Sequence, residues 1–211
     1  MRKIIALVIL ALGFAVSSAH AQDRFELTPF GGTRFGGQID LTTPNAQDFD
    51  YLKIKSTWDY GVIGTVTIWP KFQVEAMWNR QPTQLEAHNA TTGTFSAPTD
   101  ATLDMFQFGP LYEFGNEHAK LKPFITGGLG FTNFHSNGAL PFDNRFSANV
   151  GGGVKYFFTR HVGLRLEARY SPTETSTSTG IVCGPFGECF QTRIHNYAQQ
   201  GQANFGLILR F

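Results

Sequence analysis

The sequence predicts an all-β protein, an eight-stranded antiparallel up-and-down transmembrane β-barrel. Segments of about ten residues alternate apolar and polar positions with period two, the pattern of membrane-spanning strands. The links between them are long and short in turn. One face of the segments is apolar and rich in rings, while the other carries charge of both signs.

The chain opens with a basic pair, Arg2 and Lys3, and an apolar run from Ile4 to Val16. It continues into Ser17-Ser18-Ala19-His20-Ala21, where small residues at Ala19 and Ala21 fit a signal-peptidase site. The run is shorter than the roughly 20 residues a spanning helix needs. Residues 1–21 are therefore expected to be a cleaved signal peptide and residues 22–211 the barrel. Removing Arg2 and Lys3 takes Lys+Arg from 17 to 15 against 16 Asp+Glu, so no basic stripe points to nucleic acid. Aromatic residues make up 14%, with 21 Phe, and so many rings need a surroundings other than water.

The strands follow in order. Phe25–Phe35 opens the barrel with Glu26 and Arg34 on its polar face. Thr57–Trp69 groups Trp58, Tyr60, Val62, Val66 and Ile68, leaving Asp59 opposite. Phe72, Val74, Ala76 and Trp78 oppose Gln73, Glu75, Met77 and Asn79. In Leu103–Phe114, Phe106, Phe108 and Tyr112 alternate with Gln107 and Glu113. Pro123–Phe134 is Gly-rich and its facing is ambiguous. Phe146, Ala148, Val150, Val154, Tyr156 and Phe158 oppose Ser147, Asn149, Gly151, Gly153 and Lys155. Val162, Leu164, Leu166, Ala168 and Tyr170 oppose Gly163, Arg165, Glu167 and Arg169. Ala203, Phe205, Leu207, Leu209 and Phe211 close the barrel opposite Gln202, Asn204, Gly206 and Arg210.

The odd links are long, about Gly36–Lys53, Glu86–Asp100, His135–Asn144 and Ser171–Gln200. The even ones are short: Pro70-Lys71, Gly115–Lys122 and Thr159–His161. Long outer loops alternating with short periplasmic turns are the outer-membrane pattern.

Successive side chains of a strand point to opposite faces, so a closed barrel has one face in and one face out. A basic side chain on the lipid face near mid-bilayer costs about 2–4 kcal/mol. Glu26, Asp59, Glu75, Lys155, Arg165, Glu167, Arg169 and Arg210 therefore belong inside, as a paired network filling the narrow lumen of eight strands. Rings at segment ends form two interfacial girdles. Trp69, Phe72, Phe114, Phe158 and Phe211 belong to the periplasmic belt. Trp58, Trp78, Phe131, Phe134 and Tyr170 belong to the outer one.

Cys183 and Cys189 lie in Cys-Gly-Pro-Phe-Gly-Glu-Cys, a spacing that in an exported protein favours a local disulfide over a metal site, since no His or third Cys stands at ligand spacing. The stapled loop Ser171–Gln200 would present Phe186 at its tip as a contact for an extracellular partner. His88, His118, His161 and His195 are isolated, and the Gly151–Gly153 triplet fits a tight spot in a narrow barrel. No metal or cofactor site is expected.

The C-terminal Phe205-Gly206-Leu207-Ile208-Leu209-Arg210-Phe211, together with Pro123–Phe131 and Asn149–Phe157, resembles the OmpA/OmpX-type small outer-membrane barrel family. The resemblance implies a bacterial outer-membrane location in contact with lipid and lipopolysaccharide. It also implies recognition of the strand bearing Phe205, Leu207, Leu209 and Phe211 by the barrel-assembly machinery. It specifies architecture better than activity, since such barrels serve as adhesins, resistance factors and anchors.

Three functions remain to be weighed. A structural or surface-interaction role needs only the barrel and its loops. A narrow small-solute channel needs an open lumen. A lipid A-modifying hydrolase needs a His-x-Ser-Asn motif near the end of the penultimate strand, where this chain reads Glu167-Ala168-Arg169-Tyr170-Ser171-Pro172-Thr173. The echo His135-Ser136-Asn137 puts neighbours on opposite faces of a strand, so no catalytic residue is assigned.

Overall fold

The computed structural model describes residues 24–40, 49–89, 92–95, 99–116, 119–136, 144–183 and 189–211. The signal-peptide segment and Phe186 lie outside them. Among the described residues the regular structure is entirely β. The strands are β1 (Phe25–Gly36), β2 (Gln38–Asp40), β3 (Phe49–Ile54), β4 (Thr57–Trp69), β5 (Phe72–Asn89), β6 (Thr99–Glu113), β7 (Leu121–Ser136), β8 (Arg145–Phe157), β9 (Val162–Cys183) and β10 (Cys189–Arg210).

These make eight staves of a closed antiparallel barrel. The short β2 prolongs β1 past Gly37, whose φ is +104°. Likewise β3 leads into β4 across Lys55-Ser56, and both β3 and β4 pair with β5. The first and last staves meet in a register running from Glu26↔Arg210 to Gly36↔Gln200. That pairing removes the edges an open sheet would leave, as lipid requires of a spanning sheet.

The link expected at Ser171–Gln200 is not a loop. β9 runs on to Cys183 and β10 starts at Cys189, so the two strands continue as a paired ribbon above the barrel. β8 accompanies β9 only as far as Ser147↔Thr173, and β1 accompanies β10 only as far as Gly36↔Gln200. Beyond those points the ribbon has no third strand among the described residues. Thr173–Thr179 carry several β-branched residues, which favour extended backbone. Their Ser/Thr content had suggested a loop. Parts of the other long links are also strand, since β2 and β3 lie within Gly36–Lys53 and β5 reaches Asn89.

Alternation sorts every stave. Leu27, Tyr60, Ile68, Phe106, Phe108, Leu129, Val150, Leu166, Phe205 and Leu207 face outward and are exposed. Glu26, Asp59, Glu75, Gln107, Lys155, Arg165, Glu167, Arg169, Gln202 and Asn204 face inward and are buried. The ambiguous Pro123–Phe134 segment resolves the same way: Ile125, Leu129 and Phe131 point out, while Phe124, Thr126, Thr132 and Phe134 point in. Phe134 therefore leaves the outer girdle for the lumen, where it packs with Ile54, Leu85, Ala101, Leu103 and Ala198. The Gly-rich stretches allow backbones to approach closely. A Cβ built on Gly153 would lie 2.0 Å from the Leu166 carbonyl oxygen, and one on Gly130 would lie 1.8 Å from that of Phe106.

Candidate functional site

The chemistry-bearing side chains gather in the lumen, arranged in layers from the short-turn end upward. Lys155 on β8 is the hub of the first layer. Its Nζ donates to Glu26 Oε2 at 2.7 Å, Gln73 Oε1 at 2.7 Å and Glu113 Oε1 at 2.8 Å. Arg210 Nε donates to the other Glu26 oxygen at 3.0 Å, and its guanidinium lies 3.8 Å from the centroid of the Phe157 ring. β1, β5 and β6 thus converge on one ammonium group of β8, and β10 joins them through Glu26. An ammonium with three donors is saturated by three acceptors.

The second layer centres on Glu75. Arg165 Nη2 reaches Glu75 Oε2 at 2.8 Å, Thr126 Oγ1 donates to Glu75 Oε1 at 2.7 Å, and Arg169 Nη2 bonds the same oxygen. Glu167 completes a closed square, taking Arg165 Nε at 3.0 Å and standing 2.6 Å from Arg169 Nε. The Arg165 guanidinium also stacks 4.5 Å over Phe124. Two cations against two carboxylates leave this layer neutral, the condition under which buried charge is tolerated.

Above it the lining turns partly apolar. Phe30, Ile63 and Met77 form a buried cluster from β1, β4 and β5. A third polar layer follows, in which Asp59 Oδ2 accepts from Asn79 Nδ2 at 2.9 Å and from Gln202 Nε2. Arg34 Nη2 donates to Gln202 Oε1 at 2.9 Å, and its Nη1 abuts the Met105 sulfur. The cluster holding Phe134 caps the stack. The expectation that a paired charge network fills the lumen is corrected here: two charged layers are followed by an apolar cluster, a third polar layer and an apolar cap. A strand's inward positions are filled by shape as well as by charge, and Phe30, Ile63 and Met77 sit at inward positions that the alternation of their strands had marked as polar.

Of the residues expected to line the interior, Glu26, Asp59, Glu75, Lys155, Arg165, Glu167 and Arg169 are buried and Arg210 is half-buried, and their contacts form three groups. Sequence reasoning passed over Glu113 and Arg34, although both stood on the polar faces of their segments.

On the outer surface the girdle residues Trp58, Trp69, Phe114, Phe131, Phe158, Tyr170 and Phe211 are exposed, and Phe72 and Trp78 are half-buried. Rings meet in pairs: Trp58 with Tyr60 at 5.4 Å, Trp69 with Phe72 at 5.6 Å and Phe106 with Phe131 at 5.2 Å between centroids. One step beyond Trp78 and Phe106 the outward face turns charged. Arg80 grips Asp104 with two bonds of 2.7 Å, and His135 Nε2 lies 3.6 Å from the same carboxylate. That switch marks where hydrocarbon gives way to water. His135 thus partners Asp104 on the outside, while the side chains of Ser136 and Asn137 lie outside the described residues. So do those of Cys183 and Cys189, whose backbones are direct register partners across β9 and β10. Phe205, Leu207 and Phe211 of the closing strand face outward.

Three known proteins share this architecture. The OprG outer membrane protein of Pseudomonas aeruginosa superposes with a TM-score of 0.64 at 13% identity, covering 90% of this chain and 98% of that one. AlkL, an outer membrane protein solved in lipid bilayers, gives 0.56 at 17% identity, covering 93% and 94%. The neisserial surface protein NspA gives 0.55 at 15% identity, covering 89% and 97%. Identities this low speak for the fold. A family model described as the outer membrane protein beta-barrel domain matches residues 6–211.

Proposed function

The chain belongs to the outer membrane protein β-barrel family and resides in the bacterial outer membrane; on that premise we propose that it is a closed barrel with a structural or surface-interaction role and no catalysis. The observation that carries this reading is the filling of the lumen. Lys155, Ile63, Arg34, Met105 and Ile208 are inaccessible at successive levels. A water-sized sphere does not reach these side chains, so a solute path would require them to move. The ion pairs of Lys155 with Glu26 and Glu113 oppose that movement, since removing one partner of a buried pair is costly.

With the lumen closed, the surface offered to the outside is the ribbon of β9 and β10 with its neighbouring links. This ribbon, its strands joined in sequence by residues 184–188 and stapled by Cys183 and Cys189, is the contact for an extracellular partner, with Phe186 as its apolar anchor. Export uses residues 1–21, assembly uses the closing strand, and the outer girdle meets lipopolysaccharide.

Single-channel recording in planar bilayers tests the reading. Purified barrel is expected to give no discrete openings. Regular openings would replace this role with that of a narrow small-solute channel.

A further inference from the structure

The short-turn end of the barrel is hollow. A vestibule of about 670 Å³ opens there, lined by the three short turns and floored by Gln73, Glu113 and Phe157. That volume lies within the range of small-molecule sites, roughly 300–1,000 Å³. Six cations line it: Arg24, Lys71, Lys120, Lys122, Arg160 and Arg210. Glu113 is the acid among its lining residues, and it already serves Lys155 at 2.8 Å and Lys122 at 3.4 Å.

Arg210 is committed to Glu26. Arg24, Lys71 and Lys120, in contrast, form no ion pair with any described residue. Asp23 and Glu117, adjacent in sequence to this end, lie outside the described residues. Setting aside Arg210 and Glu113, which belong to the Lys155 layer, and counting Asp23 and Glu117 in full still leaves five lining cations against two carboxylates. Elsewhere in the lumen the charges balance layer by layer, so an unbalanced layer departs from the rule the molecule otherwise keeps.

A second observation is independent of charge. Lys71 is the sole non-glycine residue with positive φ among the described residues, at 70°. It follows Pro70 in the turn between β4 and β5, the position of such a turn that ordinarily takes Gly or Asn. A side chain held in the left-handed region is an outlier of the kind that clusters at functional sites. Here the left-handed residue is one of those that line the vestibule.

We propose that this mouth is a binding site for a phosphate-bearing anion approaching from the periplasm. Several cations around a mouth whose inner wall includes Phe157 focus the field on a multivalent guest. Arg24 offers the planar fork that matches phosphate oxygens, and the lysines add point charge. The same chemistry is presented by a free phosphate compound or by the headgroup of an anionic phospholipid in the adjoining leaflet.

The test uses the full barrel in nanodiscs of phosphatidylcholine, titrated calorimetrically with inorganic pyrophosphate. Binding is expected at low salt, and it weakens about tenfold or more as salt shortens the screening length from roughly 30 Å toward 8 Å. The variant Lys71→Asn/Lys120→Gln is expected to bind at least about tenfold more weakly, the loss expected from taking two charges out of a focused field. Asn suits the backbone at that turn, and heat-modifiability on gels verifies folding. Repeating the titration with phosphatidylglycerol in the disc separates the sources. Competition identifies a lipid headgroup, and unaltered binding a free anion. No heat at low salt, or equal affinity in a folded variant, overturns the proposal while leaving the barrel reading intact.

Discussion

Lys155 Nζ lies 2.7 Å from Glu26 Oε2, joining residues 129 positions apart in the chain. The contact exists only when the barrel is closed, because β1 and β8 are not neighbours in the sheet. Their side chains meet across the lumen, so this pair reports on closure rather than on local strand pairing.

Lys155→Met should destabilise the barrel by about 3–5 kcal/mol, the cost of leaving buried carboxylates without their cation. Urea unfolding in lipid vesicles, followed by tryptophan emission, measures it. Adding Glu113→Gln removes one orphaned charge and should restore part of the loss. Additive effects in the double variant would show that the two groups do not interact.

Leu129 faces the hydrocarbon with 60% of its surface exposed. Leu129→Arg should cost about 2–4 kcal/mol if the residue lies near mid-bilayer depth. Leu129→Phe should be nearly neutral by the same unfolding measurement. A soluble, stable Leu129→Arg protein would contradict the assignment of this face to lipid.

Gly153 approaches the neighbouring backbone too closely for a side chain. Gly153→Ala should therefore lower stability by about 1–3 kcal/mol, as overpacking does. Gly93, where an added Cβ meets open space, has a positive φ of 67°, so it makes a poor control. Gly64 meets nothing within 4 Å and has ordinary backbone, and Gly64→Ala should be tolerated. The comparison reads out as loss of the compact band on unheated gels.

Trp58 and Trp69 belong to opposite belts. In single-tryptophan variants, lipids brominated near the headgroup should quench each of them more than lipids brominated at the chain ends. Tryptophan placed at position 129 should show the reverse order. Deep quenching at both native positions would remove the girdles.

Cys183 and Cys189 stand opposite each other in register. Opposed residues of antiparallel strands have Cα atoms about 4.5–5.5 Å apart, inside the range a disulfide spans. Alkylation followed by mass spectrometry should find no reactive thiol until a reductant is added. Two free thiols in protein purified without reductant would exclude the staple.

The faces of β5, β8, β9 and β10 were legible in the sequence because lipid punishes any lapse in alternation. The sorting of Glu75, Lys155, Arg165 and Glu167 to the interior followed from that alone. Which cation meets which carboxylate was not legible. Lys155 touches Gln73 and Glu113 only through the curvature of the sheet, and no spacing encodes that. Phe134 misled because an aromatic residue at a strand end suits a lipid interface and a lumen cap equally well. The ribbon of β9 and β10 was read as a loop because polar β-branched residues carry no alternating hydrophobicity once a strand leaves the membrane. That Phe30, Ile63 and Met77 form a cluster was not legible, because a single apolar residue on a polar face, such as Met77 among Gln73, Glu75 and Asn79, carries no signal until three strands bring them together.

A barrel wall offers no free backbone, but the extension of β9 and β10 does. Above Thr173 and Gln200 neither of its margins is paired with a further strand among the described residues. Exposed margins of this kind invite a further chain to lie alongside. When copies of the protein crowd together, fibrous association should begin at that protruding hairpin, and trimming it should keep concentrated preparations clear without disturbing the cylinder beneath.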